Sequence, residues 1–148
     1  MNKRQRERVK SLVPGGVPRH IRVYDNGGPG VFLRRRPGES EQREGSIDRY
    51  TVVYTGRYRH KTLRQSRYVG MSGAPFHPQG FCQHGESPDP IDWPTYGHLG
   101  KKIAYADLPE DCKLATLADY LYLWDLPGVD EDGYLLPNWA ALLQEAGA

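Results

Sequence analysis

Residues 75–86, PFHPQGFCQHGE, concentrate the side chains of this chain that are best suited to chemistry. His77, Cys82 and His84 offer two imidazoles and a thiol, and Glu86 adds a carboxylate. Zinc accepts these ligand types in tetrahedral geometry. The spacing His77-x4-Cys82-x-His84 lacks the paired knuckles of structural zinc sites, so these three residues are a weak metal candidate. The competing interpretation is a polar loop whose His and Gln side chains bond loop carbonyl groups.

We interpret this stretch as an ordered loop that serves recognition, because Phe76 and Phe81 are expected to anchor it against the core. No cofactor is expected. The residues that the loop presents as a candidate site are His77, Gln79, Cys82, Gln83, His84 and Glu86.

A hydrolytic site is the second chemical possibility, built from carboxylates and histidines that could meet at one end of a sheet. Its members would be Asp25, Asp48, His77, His84 and Glu86. The alternative is structural, since Asp25 and Asn26 precede two glycines and Asp48 with Arg49 opens a strand. No G-x-S-x-G, H-E-x-x-H or Walker pattern is present. A Cys82/His84 nucleophile pair also lacks a recognisable orienting partner.

Basic and tyrosine residues interleave between positions 57 and 68, in a predicted hairpin. The candidate binding residues are Arg57, Tyr58, Arg59, Lys61, Arg64, Arg67 and Tyr68. Basic side chains neutralise phosphates and tyrosines stack on bases, so the pattern favours binding of nucleic acid or another partner. An ordinary solvated turn is the alternative, and the pI of about 8.5 is low for a dedicated nucleic-acid binder.

The 148 residues suit one domain, and a mean hydropathy of −0.71 describes a polar chain. Residues 1–70 hold 17 Lys and Arg against 6 Asp and Glu, whereas residues 71–148 hold 3 against 12. Either the two halves face and partly neutralise one another, or the chain carries a basic face for phosphate or an acidic partner.

Two cysteines, Cys82 and Cys112, are too few for a disulfide framework, so each is expected to be a small buried hydrophobe. The charged start MNKRQRERVK lacks the apolar segment of a secretory signal. No apolar run approaches the roughly 18 residues of a membrane span. We therefore expect a cytoplasmic protein with no membrane partner.

Periodicity predicts an α+β fold with an antiparallel sheet of three or four strands and one main helix across a face. Strands are expected near 21–25, 46–58 and 67–72, and a further short one within 101–108. Residues 73–100 read as one long loop rich in Pro and Gly, and 29–46 as a charged insert. The predicted helices cover 108–125 and 137–147. The organisation is an arm or short helix (1–18), the domain (19–126) and an extension (127–148).

The main helix is expected to take Asp107 as its N-cap, with Glu110 three positions on and Pro109 in the first turn. Its apolar face is predicted to consist of Leu114, Leu117, Ala118, Leu121 and Trp124.

At IRVYDNGG, DRYTVVYTG, YVGMSGAPFHPQGFCQHGE and HLGKKIAYADLPEDC the chain resembles small uncharacterised proteins of phages and prophages. The resemblance covers roughly residues 20–125 and runs from a YDNGG-type turn through a DRYTVV strand to a GMS strand and its polar loop. It implies a mobile-element context, with host-cell cytoplasm as the location, and brings no activity.

The sequence thus favours a small non-catalytic accessory protein that binds and modulates a host protein, since Tyr- and Arg-rich surfaces suit docking. A nucleic-acid binder that uses the basic hairpin is the alternative. A small hydrolase or metal-binding protein that uses residues 77–86 comes third.

Overall fold

A computed structural model of the chain describes residues 1–27, 48–88 and 99–148. The strands are β1 (Ile21–Asp25), β2 (Tyr50–Tyr54), β3 (Gln65–Met71), β4 (Cys82–Pro88) and β5 (Lys101–Ile103). The α-helices are α1 (Lys3–Leu12), α2 (Glu110–Leu123) and α3 (Trp139–Glu145), and short 3-10 turns cover Pro14–Gly16 and Tyr105–Asp107. The predicted charged insert 29–46 and residues 89–98 of the predicted long loop lie outside the described residues.

The sheet is antiparallel and has the order β4-β3-β2-β1-β5, which confirms the predicted α+β class with one strand more than expected. At its centre β2, YTVVY, is buried along its whole length. Its β-branched and aromatic side chains suit a strand that is covered on both faces. Tyr50, Val52 and Tyr54 point towards α2 and join the main core, whereas Thr51 and Val53 point to the other face.

The strand β4 corrects the prediction of one unstructured loop from 73 to 100. Seven consecutive residues of β4 pair with β3, from Met71 opposite Cys82 to Gln65 opposite Pro88. Most of β4 is exposed, so its sequence CQHGESP carries no apolar alternation. Sequence patterns identify strands through burial, and an exposed edge strand lacks that signal.

The helix α2 starts later than predicted. The carboxylate of Asp107 accepts a hydrogen bond from the backbone N–H of Ala104 at 3.1 Å and closes the 3-10 turn instead of capping α2. The helix then begins after Pro109, with Glu110 and Asp111 in its first turn, where acidic side chains favour the helix dipole.

The buried stripe of α2 is also rotated from the predicted one. Leu117 and Leu121 are buried as expected, but Leu114, Ala118 and Trp124 are only half-buried. The buried residues of α2 are Cys112, Ala115, Thr116, Leu117, Tyr120, Leu121 and Leu123. Leu114 and Ala118 are thereby left at the rim of a groove described below.

The two ends of the chain share one core with the sheet. Val9 and Leu12 of α1 and Leu143 of α3 belong to the same buried cluster as the strands. The hydroxyl of Tyr120 donates to the carbonyl of Leu12 at 2.7 Å and ties α1 to α2. Of the two alternatives for the basic N-terminal residues, arm or helix, the structure shows the helix. None of the helices in the described ranges is long and apolar enough to cross a membrane.

Candidate functional site

A groove of about 680 Å³ opens where β1 begins and the connection between β2 and β3 turns. We call it the cationic groove, because Arg22, Arg57, Lys61 and Arg64 line it and none of the described residues along its walls is acidic. Its remaining wall residues are Thr55, Gly56, Tyr58, Thr62, Leu63 and Ser66. Three guanidinium groups and one ammonium group therefore face a single concave surface.

The connection from β2 to β3 forms this groove, and tight turns and one buried tyrosine fix its shape. The N–H of Lys61 donates to the carbonyl of Tyr58 at 3.1 Å, and both His60 and Arg64 have positive φ, near 60°. The side chain of Tyr58 is 4% exposed, and its hydroxyl accepts a hydrogen bond from the N–H of Arg67 at 2.8 Å. Burial raises the pKa of the Tyr58 phenol above its ordinary value.

Burial of the tyrosines corrects the predicted stacking platform. Tyr54 is 1% exposed, Tyr58 is a wall residue fixed by its hydrogen bond, and Tyr68 is half-buried with its ring against Gly85. The groove instead offers Leu63, which is 88% exposed, as its apolar side chain. The groove thus suits charge recognition better than base stacking.

The predicted basic cluster divides between two sites. Arg57, Lys61 and Arg64 line the cationic groove, whereas Arg59 and Arg67 line a separate cavity of about 510 Å³. The walls of that cavity also include Asp125, Asp130 and Glu131, and Arg59 lies 3.9 Å from the carboxylate of Asp125. Here the basic and acidic halves of the chain meet.

Arg22 is a groove residue that the sequence pattern missed. It lies on β1 opposite Val53, some 35 residues before the hairpin in the sequence. Its side chain therefore belongs to the face of the sheet away from α2. The signal that could have found it is strand register. An antiparallel β1–β2 pair places the start of β1 beside the end of β2, where the hairpin begins.

A second polar cluster lies between β4 and α2. The Nε2 atom of His84 lies 2.8 Å from the Oδ2 atom of Asp119, and that oxygen also accepts a hydrogen bond from the hydroxyl of Tyr54 at 3.0 Å. The hydrogen bond with Asp119 raises the pKa of His84, although burial acts in the opposite direction. Burial, with the nearby Asp119 carboxylate, raises the pKa of Tyr54 well above its ordinary value.

A mainly apolar cavity of about 420 Å³ adjoins this cluster, and we call it the β4–α2 groove. It is bounded by Phe76, Cys82, His84, Leu114, Ala115, Ala118, Asp119, Gly133, Tyr134 and Leu135. Phe76 is 60% exposed and Tyr134 is 72% exposed, so two large aromatic side chains stand at the groove with most of their surface in water. Phe76 is therefore not the loop anchor that was predicted.

Cys82 lies in the β4–α2 groove and is exposed, which corrects its prediction as a buried hydrophobe. Desolvation raises the pKa of its thiol, and the carboxylates of Asp119 and Asp48 raise that pKa further. Asp119 supplies the orienting partner that His84 lacked in the sequence, but a thiol with a raised pKa is a poor nucleophile near neutral pH. Cys112 is buried as predicted, and its thiol donates to the carbonyl of Ser72 at 3.3 Å.

The structure does not assemble the proposed metal set. His77 belongs to a separate turn, where its Nδ1 atom accepts a hydrogen bond from the N–H of Gln79 at 3.1 Å. Within residues 1–27, 48–88 and 99–148, no three His, Cys, Asp or Glu side chains come together in a way that could hold a metal ion. His77, Cys82 and His84 therefore do not form one ligand set.

The proposed hydrolytic set is dispersed as well. Asp25 and Arg49 form an ion pair of 3.2 Å beside the turn, and Asn26 donates to the carbonyl of Asp48. Burial alone would raise the pKa of Asp25, but the N–H of Gly27 and the Arg49 guanidinium lower it overall. Burial raises the pKa of Asp48, which packs against Gly70.

The remaining loop candidates occupy β4. Gln83 is exposed and lies opposite Gly70, on the face of the sheet away from His84. Glu86 is exposed and lies opposite Arg67 in the register. Of these loop candidates, His84 is the one whose side chain hydrogen-bonds to a titratable side chain among the described residues.

Comparison with known proteins adds no relative: no family model, no curated protein and no solved structure matches this chain.

Proposed function

We propose that this protein binds nucleic acid through contacts between the phosphate backbone and the cationic groove. The main support for this proposal is the lining of the groove, where four basic side chains converge and none of the described wall residues is acidic. Convergent cations of this kind raise the local concentration of a polyanion and release its counterions on binding.

The basic helix α1 adjoins the same region and supports the proposal. Arg8 of α1 donates a hydrogen bond to the carbonyl of Trp124. The ring of Trp124 in turn packs on Gly56, a wall residue of the cationic groove. This contact is so close that a Cβ added at Gly56 would lie 2.9 Å from the ring. Of the 17 Lys and Arg in residues 1–70, four therefore line the groove and five belong to α1. A long polyanion could contact both, whereas a single small anion would need only the groove.

The chemistry of the groove favours sequence-independent binding. Arginine guanidinium groups and lysine ammonium groups contact phosphate oxygens without reading bases, and Tyr58, the tyrosine in the groove wall, is buried. If about four phosphates are neutralised on a single strand, the affinity should fall roughly fifty-fold between about 50 mM and about 200 mM salt.

Fluorescence anisotropy with a labelled single strand of about 20 nucleotides tests the proposal. The variant Arg57→Gln/Arg64→Gln removes two charges from the groove and is expected to weaken binding at least about tenfold, with a shallower salt dependence. The matched control Lys101→Gln/Lys102→Gln removes two exposed charges from β5, at the edge of the sheet, and is expected to bind almost normally. Absence of binding at low salt, or an equal loss in both variants, would overturn the proposal.

The protein partner favoured by the sequence stays a prediction, as does its phage or prophage context. A different surface supports it, the β4–α2 groove, whose exposed aromatic side chains suit a protein better than a polyanion. The hydrolase also stays a prediction, although burial raises the pKa of the Cys82 thiol, which disfavours a cysteine nucleophile.

A further inference from the structure

The strand β4 forms one edge of the sheet, and the hydrogen bonds beside it fix which of its backbone groups point outward. The N–H of Ser72 donates to the carbonyl of Phe81 at 2.9 Å, so this directly opposed pair is a hydrogen-bonded one. Hydrogen-bonded pairs alternate along an antiparallel ladder. Gln83, Gly85 and Ser87 therefore direct their backbone groups towards β3, whereas Cys82, His84 and Glu86 direct theirs outward.

A separate contact agrees with this alternation of hydrogen-bonded and non-hydrogen-bonded pairs. The N–H of Arg67, opposite Glu86, bonds the hydroxyl of Tyr58 and not β4. Among the described residues no strand lies beyond β4, so its outward N–H and C=O groups form an open edge. Such an edge is a template for an added strand.

The residues with outward backbone groups also direct their side chains towards α2. Cys82 and His84 line one wall of the β4–α2 groove, and Leu114 and Ala118, one helical turn apart, line the other. A chain that added itself to β4 would therefore place every second side chain over this groove. The edge supplies backbone hydrogen bonds and the groove supplies an apolar pocket, which is the combination used in peptide recognition by strand addition.

We propose that the β4–α2 groove binds an extended segment of a partner protein, which adds as a sixth strand beside β4 and inserts a large aliphatic or aromatic side chain between His84 and Leu114. This site is separate from the cationic groove, and it would operate whether or not the protein binds nucleic acid.

The chemistry of β4 argues for a foreign segment over a second copy of this chain. A second β4 would present the polar side chains of Cys82, His84 and Glu86 to a groove whose helix wall consists mainly of the apolar side chains of Leu114, Ala115 and Ala118. Two strands paired antiparallel about His84 would also bring two imidazoles together, each favoured in its charged form by Asp119. Pro88 lacks an N–H and ends the usable edge after six residues.

Selection from a random decapeptide library, with the purified protein as bait and no nucleic acid present, tests the proposal. Enriched peptides are expected to alternate large apolar residues with polar ones. In two-dimensional NMR they are expected to shift the amide signals of Cys82, His84 and Glu86 and to leave those of residues 57–64 unchanged.

Two substitutions at one position separate backbone from side-chain effects. Glu86→Pro removes an outward N–H without touching the ladder to β3, and it is expected to weaken peptide binding at least about tenfold. Glu86→Ala removes the same side chain, keeps the N–H and is expected to bind normally. If the proline variant fails to fold, Ala118→Glu, which fills the groove from α2, is expected to give the same loss.

Three results would overturn the proposal. One is a selection in which the Ala118→Glu bait enriches the same peptides as the wild type. Another is protection of the Cys82, His84 and Glu86 amides from hydrogen exchange in the peptide-free protein, which would show that the edge is already covered. The third is a stable dimer whose association is lost in Glu86→Pro, which would assign the edge to a second copy.

Discussion

At the scale of single residues, the pair formed by His84 and Asp119 is the most informative contact. It joins an exposed edge strand to the main helix across 35 positions of sequence. The hydroxyl of the fully buried Tyr54 donates a hydrogen bond to the same carboxylate oxygen of Asp119. An imidazole at 2.8 Å from a carboxylate is favoured in its charged form. The pair therefore links the protonation of one histidine to the folded state.

This linkage predicts a pH-dependent stability. Since the pKa of His84 is raised above 6.5 in the folded protein, its contribution is complete below about pH 6.5 and is lost as the pH rises through the higher folded value. His84 is half exposed, so solvent screening limits the contribution to about 1 kcal/mol or less. Urea unfolding between about pH 5.5 and pH 8.5 should show this decline in the wild type and a flatter profile in His84→Gln.

The exposed His77, bonded within its own turn, provides the control for this prediction. His77→Gln is expected to keep the wild-type pH profile. Identical profiles for the wild type and His84→Gln would show that the ion pair contributes nothing to folding in solution.

At the scale of elements, the sequence predicted best those segments whose own residues decide their structure. The strand β2 was recognisable because β-branched and aromatic residues fill it, and α2 because leucines recur at helical spacing. The strand β4 was not, because Gly85, Pro88 and its exposed polar residues have low strand propensity and it forms through pairing with β3.

The candidate sites follow the same division. Arg57, Lys61 and Arg64 are close in sequence and were predicted together, but Arg22 and Asp119 reach their sites only through strand register and helix packing. Tyr58 was misread for a related reason, since a tyrosine in a basic turn gives no sign that its ring turns inward. Long-range pairing, invisible in local patterns, accounts for these errors.

The start of β5 gives a prediction for an element boundary. Gly100 has φ of 86°, and an added Cβ would overlap the backbone of Asp25 and Asn26, which cannot move aside as a flexible side chain can. Gly100→Ala is therefore expected to reduce the free energy of unfolding by about 1–3 kcal/mol or more, as measured by urea denaturation.

Gly73 offers the matched comparison, because an added Cβ there meets nothing within 4 Å and its φ is ordinary. Gly73→Ala is expected to change the stability by no more than about 0.5 kcal/mol. Equal effects of the two substitutions would show that β5 does not pack against the β1 turn as described.

At the scale of the whole molecule, the charge asymmetry has two structural outcomes. On one side of the basic hairpin, Arg59 and Arg67 share a cavity with the acidic residues Asp125, Asp130 and Glu131. On the other side, Arg57, Lys61 and Arg64 line the cationic groove with Arg22. The first arrangement balances charge within the fold, whereas the second gathers basic side chains around one groove, where the proposed polyanion would bind.

The shared core predicts that both ends of the chain unfold together with the sheet. Leu143 of α3 is 4% exposed and belongs to the cluster that includes Val9 and Val52. Leu143→Ala should destabilise the whole protein by about 2–5 kcal/mol in one cooperative transition, followed by near- and far-ultraviolet circular dichroism. Separate transitions for the two signals would show that α3 folds apart from the sheet.

The hydrogen bond from Tyr120 to Leu12 spans 108 positions of sequence, and this separation has a consequence for synthesis on the ribosome. At typical rates of elongation, roughly 5 to 20 seconds pass between the emergence of these two residues. During that interval α1 carries Val9 and Leu12 with no helix α2 to cover them, beside five basic residues that attract ribosomal RNA. The apolar residues of α1 therefore stay without their α2 partner until Tyr120 has been synthesised.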